Sequence, residues 1–312
     1  MMPGLIAQTL PITPPSIGAM CTWDPPAIPL LPVIAALLTA WYLWAVLRVR
    51  RAGRAWPAHR AVAFVIGCVL TAAVTGLAID GYGRGLFSAF MFQQLTLSVL
   101  VPPLLVLGCP GRLLLRSTPR HGVGRWVLLA ALVALRSRAA RVALHPAVTI
   151  PLFLLTYYGL YLSDLLDMTA AVPWGHTLLE LVFLVSGLLF VIPILSTDPL
   201  PSKPSNLGRL FDIFVEMPLH VFIGVVLMMA PVPLIETFAN PPPEWNVDPV
   251  DDQAVAGGLA WSYGEPVALA ITLIFAVRWR RDEQAETERN EADTAESEAE
   301  LHAYNEFLRR LG

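Results

Sequence analysis

The stretch Phe87–Gly111 reads FSAFMFQQLTLSVLVPPLLVLGCPG and decides how the chain folds. It is apolar over enough residues to cross a bilayer, since about 20 helical residues cover about 30 Å of hydrocarbon. Near its start it carries Gln93 and Gln94, and in its middle the double proline Pro102–Pro103. Such a segment is a poor soluble core helix. The glutamine amides need partners, and each proline frees a carbonyl one turn back. In a membrane bundle, neighbouring helices can supply the missing hydrogen bonds. The reading therefore calls for several other apolar helices around it.

Composition agrees. Of 312 residues 55% are hydrophobic and only 14% are Asp, Glu, Lys or Arg, well under the share expected of a soluble domain. The apolar residues fall in long blocks between charged loops. These blocks are too long for barrel strands, so the expected fold class is all-α, a polytopic membrane helical bundle. Seven spans are expected: 28–47, 61–79, 87–107, 147–165, 176–195, 210–230 and 259–277. The arginines orient them. With the N-terminus outside and the C-terminus cytoplasmic, segments 48–60, 112–141, 196–209 and 278–312 lie inside and hold 20 of the 21 Lys and Arg residues. The exception, Arg84, sits in a short outer turn, 80–85, read as a tight connection.

Three parts follow: an extracytoplasmic N-terminal segment 1–26, a membrane domain 27–281, and an acidic tail 282–312 ending in a short amphipathic helix through Leu301, Tyr304, Leu308 and Leu311. Residues 1–26 hold no Lys or Arg, so they lack the basic start of a cleavable signal. The loop 231–258, with Pro241–Pro243 and Asp248–Pro249, is expected to be extended and irregular. The apolar run Trp126–Leu135 cannot span and reads as an interfacial helix on the cytoplasmic side, its flanking arginines meeting lipid phosphates and not nucleic acid. Cys21, Cys68 and Cys109 form no CxxC pair, so neither a zinc ribbon nor a thiol–disulfide couple is indicated. No Gly-rich phosphate loop, HExxH or GxSxG occurs, and the chain is not expected to be an enzyme.

Polar residues inside a membrane ask for a reason. At the outer ends of the spans the topology gathers Asp80, Met91, Gln93, Gln94, His176, Glu180 and Met228 or Met229, with His220 beneath them. Imidazole and thioether suit Cu(I), and imidazole with carboxylate suits Cu(II) or zinc. The candidate metal ligands are His176, His220, Met91, Glu180 and Met228. A proton or ion path and plain polar packing are the alternatives from spacing alone. His145–Pro146 opens the fourth span far from His176 in depth, which suits a helix start and not a shared ion.

Several passages in order resemble one family. They are Pro102–Gly108 followed by Pro110, His145–Pro146, the run from His176 to Phe190 followed by Asp198–Pro199, Arg209–Leu210, Met217–His220 with Gly224, and Tyr304–Asn305 with Leu308. Together they resemble the CtaG-type cytochrome c oxidase assembly factors, multi-spanning bacterial membrane proteins associated with copper delivery. The resemblance implies a place in the bacterial plasma membrane and a respiratory partner, either cytochrome c oxidase subunits or another membrane complex. The chain departs from that pattern where the family carries a His-Met-x-x-His arrangement: Phe90 and Gln94 stand at both histidine positions. Tyr161 stands where a further family histidine falls, and Leu179–Glu180 where the family often has Glu-His. Amides, a phenol and a carboxylate replace imidazoles, which removes strong ligands for a soft metal. Three readings stay open: an assembly or accessory factor assisting copper delivery, a scaffold that has lost the metal site, and a metal or ion transporter.

Overall fold

The computed structural model describes residues 10–196 and 206–311; the side chains of 206, 207, 209, 212, 213, 215–220, 282, 296, 302, 303, 307, 308 and 311 lie outside the described set. Among the described residues the regular elements are helices, joined by a lone backbone bridge between Trp23 and Leu77. The chain forms two units, Met1–Ala268 and Leu269–Gly312.

In order, α1 is Leu30–Arg51, α2 Ala58–Gly76, α3 Phe87–Leu95, α4 Val101–Leu107, α5 Pro110–Ser117, α6 Val123–Arg136, α7 Pro146–Leu154, α8 Gly175–Leu195, α9 Asn206–Met229, α10 Pro249–Ser262 and α11 Gly264–Leu311. Five helical stretches are long and apolar enough to cross a membrane: Leu30–Arg51, Ala58–Gly76, Phe87–Ser117, Gly175–Leu195 and Pro249–Glu306. The chain is thus an all-α polytopic bundle. The fourth expected span is a shorter apolar helix, Pro146–Gly159, and the sixth falls on α9. Asp212, Glu216, Met217 and His220 are on α9, but their side chains, like residues 197–205 with Asp198 and Lys203, lie outside the described residues.

The quoted stretch is the most enclosed of these helices, and its prolines act one turn earlier than they stand. Between α3 and α4 the helix widens into a π-type segment, Thr96–Leu100, immediately before Pro102–Pro103. Proline cannot donate to the carbonyl four residues back, so Ser98 loses its partner to Pro102. That carbonyl faces Gly187 of α8. A Cβ there would lie 2.1 Å from the Ser98 oxygen, so only glycine permits the approach. A second π-type segment, Leu155–Gly159, follows Pro151 in α7. The helix stops at Cys109, which adopts the left-handed conformation (φ 50°) before Pro110 starts α5.

The glutamine amide N–H groups find the partners that the sequence demanded. Gln93 donates its amide N–H to Val74 O of α2 at 2.7 Å. Gln94 donates to Thr156 O at 3.0 Å, inside the second π-type segment. A widened turn in one helix therefore receives the amide of another.

At the end where the arginines cluster, a dry aromatic core holds α1, α2 and α5 together. Tyr42 stacks on Phe64 with ring centroids 4.1 Å apart. Its hydroxyl donates to Gly108 O at 2.6 Å and accepts from the Trp56 indole at 3.2 Å. Arg60 and Arg116 lie over the Trp56 ring at 5.5 and 5.8 Å. Cys68 and Cys109 are buried in this core, while Cys21 is exposed.

At the opposite end, residues 10–24 form a cap over the turn after α2. The Trp245 indole donates to Pro11 O at 2.9 Å, Tyr82 donates to Thr13 O at 2.9 Å, and Ala78 N donates to Thr22 O at 2.8 Å.

Three elements differ from expectation. The turn at 80–85 is more than a connection, because Ile79–Tyr82 is a helical turn that sets Asp80 and Arg84 side by side. The loop 231–258 is irregular only in part: Asp248 caps α10 by accepting from Val250 N and Asp251 N, with Pro249 at the first helical position. The tail is not a short terminal helix, because α11 runs on to Leu311. Residues 267–311 contain neither Gly nor Pro and are rich in Ala, Glu and Arg, which favours continuous helix. Helix α6 has no buried residue and Trp126 is 72% exposed; at 14 residues it is too short to span, as expected.

Candidate functional site

Beneath the cap, two elements bring four ionisable side chains together. The helical turn Ile79–Tyr82 and the residues just after it carry Asp80 and Arg84; the first turns of α8 carry His176 and Glu180, four residues apart and hence on one face. His176 Nε2 lies 3.2 Å from Asp80 Oδ1 and 3.9 Å from Glu180 Oε1. Arg84 donates to the other carboxylate oxygen, Asp80 Oδ2, at 3.0 Å. Asp80, His176 and Glu180 are respectively 2%, 8% and 4% exposed, so the site is more than nine-tenths buried.

The three facing atoms, Asp80 Oδ1, His176 Nε2 and Glu180 Oε1, have no hydrogen-bond partner. The imidazole nitrogen and the Asp80 oxygen are close, but without hydrogen-bond geometry. Buried polar atoms are nearly always satisfied, so three orphans within 4.8 Å of one another are unusual. Burial acts to raise the Asp80 carboxyl, but His176 and Arg84 beside it hold it below the ordinary carboxylate range. Two carboxylates face one guanidinium here, and burying an excess charge costs several kcal/mol unless a proton or cation balances it. One imidazole and two carboxylates form a donor set that suits zinc or Cu(II). The donors thus fit a metal ion.

The other sequence candidates fall around this cluster in different ways. Phe90 packs against the His176 ring, with centroids 5.9 Å apart, and also against Phe183 and Phe238. The position where the resembling family carries a histidine is therefore a neighbour of His176, filled here by an apolar ring. Met91 is fully buried, and its thioether accepts from the Tyr161 hydroxyl at 3.7 Å. Met228 lies in the α9–α10 contact, its Cγ 2.7 Å from where a Cβ on Gly257 would stand. Met229 is 77% exposed. Gln93 Oε1 and Gln94 Oε1 are buried without partners, the former pressed against Gly83. His145 serves as a helix cap, its Nδ1 accepting from Ala147 N at 3.2 Å. The side chain of His220 lies outside the described residues.

Sequence reasoning missed two contributors. Arg84 was legible, since it follows Asp80 at the i,i+4 spacing of an ion pair. Asp252 was not. It reaches from α10 to accept from Phe87 N at 2.6 Å, and from Ser88 N and the Ser88 hydroxyl, so it caps α3 across 165 residues of chain. Gln253 beside it accepts from Leu234 N at 2.7 Å and donates to Val232 O at 3.1 Å, fixing the segment after α9.

Comparison with known proteins places these features in context. A family model described as cytochrome c oxidase caa3 assembly factor matches residues 40–282. An uncharacterized protein of Mycobacterium bovis and one of Mycobacterium tuberculosis are each 32% identical over 311 residues, covering 91% of this chain and 46% of their own length. An uncharacterized protein of Mycobacterium leprae is 33% identical over 294 residues, covering 90% of this chain and 44% of its own. The chain therefore spans somewhat less than half the length of these relatives. No solved structure matches it.

Proposed function

The chain belongs to the cytochrome c oxidase caa3 assembly factor family, and from that premise we propose that it assists assembly of the oxidase by handling copper as cargo at the outer face of the bacterial plasma membrane. In this reading the bundle has seven spans with its N-terminus outside and its tail cytoplasmic, as the arginine distribution argues. The cap and the Asp80–His176–Glu180 cluster then face the side from which copper arrives. The observation that carries the reading is the set of three buried, unpartnered ligand atoms at that end of the bundle. The partners would be cytochrome c oxidase subunits held beside the chain in the bilayer.

A second reading has its own observation. Phe90 packs on His176 where the resembling family carries an imidazole, so the chain could act as a scaffold that no longer passes copper on. One experiment separates the two. Oxidase is purified from cells lacking the chain and from cells carrying the wild type or His176→Ala, and its copper content and activity are measured. Copper handling predicts copper-poor oxidase in both the null and the variant. The scaffold predicts a defect in the null alone. Full yield, copper content and activity of the oxidase in the null strain would sink both.

A further inference from the structure

We infer that the Asp80–His176–Glu180 cluster binds a divalent cation of the zinc or Cu(II) class in preference to Cu(I). This deepens the proposal that this end of the bundle handles metal, and rests on it for physiological meaning, but the binding argument stands on geometry.

The donor set comes first. Oxygen donors from two carboxylates and one imidazole nitrogen are hard or borderline, whereas Cu(I) favours thiolate and thioether. Among the described residues, four soft side chains are committed elsewhere. Cys68 and Cys109 sit in the aromatic core at the other end of the bundle. The Met91 thioether accepts a hydroxyl from Tyr161, and Met228 packs into the α9–α10 contact.

Spacing comes second. Ligands about 2 Å from one zinc-sized ion stand roughly 3–3.5 Å apart. Asp80 Oδ1 and His176 Nε2, at 3.2 Å, already do so, and Glu180 Oε1, 3.9 Å from His176 and within 4.8 Å of the Asp80 oxygen, closes the set by turning toward them. The helix fixes this arrangement, because His176 and Glu180 are one turn apart on α8.

Charge comes third. Arg84 engages Asp80 Oδ2 and turns Oδ1 toward the imidazole, much as outer partners orient the ligands of metal centres. Two carboxyl groups meet one guanidinium there, and a dication attracts their oxygens more strongly than a monocation does. Among the described residues three ligands meet, and water or a ligand of the protein that receives the ion completes a tetrahedral set.

The test uses the full chain in detergent micelles. Zn2+, Cu2+ and Cu+ are each titrated in competition with a chromophoric chelator. The expected result is one divalent ion per chain, with Cu2+ bound more tightly than Zn2+ and Cu+ at least tenfold more weakly than either. Glu180→Gln, which keeps the shape of the side chain, and His176→Ala should each weaken divalent binding at least tenfold. His145→Ala, at a helix cap away from the cluster, should leave it unchanged. Thermal unfolding of every variant confirms that it is folded. Cu+ binding tighter than both dications would overturn the inference, as would no stoichiometric divalent binding or a Glu180→Gln variant that binds like the wild type. If divalent binding holds while cells lacking the chain fill their oxidase with copper, the assembly proposal falls and the site stands. If filling depends on the chain and no dication binds, the inference alone falls.

Discussion

The two ends of the bundle handle buried polarity in opposite ways. At the arginine end, the Tyr42 hydroxyl and the Trp56 indole form a relay onto the Gly108 carbonyl, inside a packed aromatic core. At the capped end, Asp80, His176 and Glu180 turn three buried atoms toward one another and leave all three without a hydrogen-bond partner. Both regions are similarly secluded from solvent, so burial alone does not distinguish them. One is closed by hydrogen bonds within the chain; the other, in the reading proposed above, is closed by a bound cation. That contrast separates a part that holds the fold from a part that uses it, and sites of the second kind commonly cost stability.

The largest expected effect breaks the finished end. Trp56 is 4% exposed, and Trp56→Ala should cost about 3–5 kcal/mol, read as a lower unfolding midpoint. Metal affinity of whatever folded fraction remains should be unchanged; a matching loss of affinity would mean the two ends are not separable. A smaller effect is expected midway. Gly187→Ala forces a Cβ against the Ser98 carbonyl oxygen, which is backbone on both sides and cannot swing away. Overpacking of this kind costs about 1–3 kcal/mol, measurable by thermal unfolding.

Phe90→His sharpens the comparison by giving the open end a second imidazole beside His176. Affinity for Cu(I) should rise about tenfold, or about 1.4 kcal/mol, in the chelator competition assay. No change would show that position 90 does not face the cluster closely enough to ligate.

These contrasts were legible in the sequence to different depths. The arginine-bounded apolar blocks placed α1, α2 and α8 within a few residues, since lipid thickness and the end charges constrain them together. The gathering of Asp80, His176 and Glu180 also followed from depth, because each was expected at or near the same end of its span. The π-type segments were not legible: proline announces a freed carbonyl, but whether the ladder widens depends on what the neighbour offers, here Gly187 to Ser98 and the Gln94 amide to Thr156. The start of α10 was hidden by its own signal, since Asp248–Pro249 reads as a loop and as a helix cap equally well. Asp252 reaching the N-terminus of α3 is a tertiary contact that no local pattern encodes.

The smallest expected stability change is the most telling, because its sign is opposite to that of a core substitution. Glu180→Gln replaces a buried carboxyl whose Oε1 has no hydrogen-bond partner and should leave the metal-free protein as stable as the wild type or up to about 1 kcal/mol more so. A loss of several kcal/mol would mean Glu180 is a structural partner and the capped end is finished after all.

The most direct test of the whole account is thermal unfolding of the wild type and Glu180→Gln, each with and without Zn2+. An ion that binds only the folded chain raises the midpoint, by about 2.7 kcal/mol of stability at one hundred times its dissociation constant. The account predicts that Zn2+ raises the wild-type midpoint and raises that of Glu180→Gln by no more than about half as much at the same concentration, as a tenfold or greater loss of affinity requires. An unshifted wild type, or equal shifts in both proteins, would contradict it.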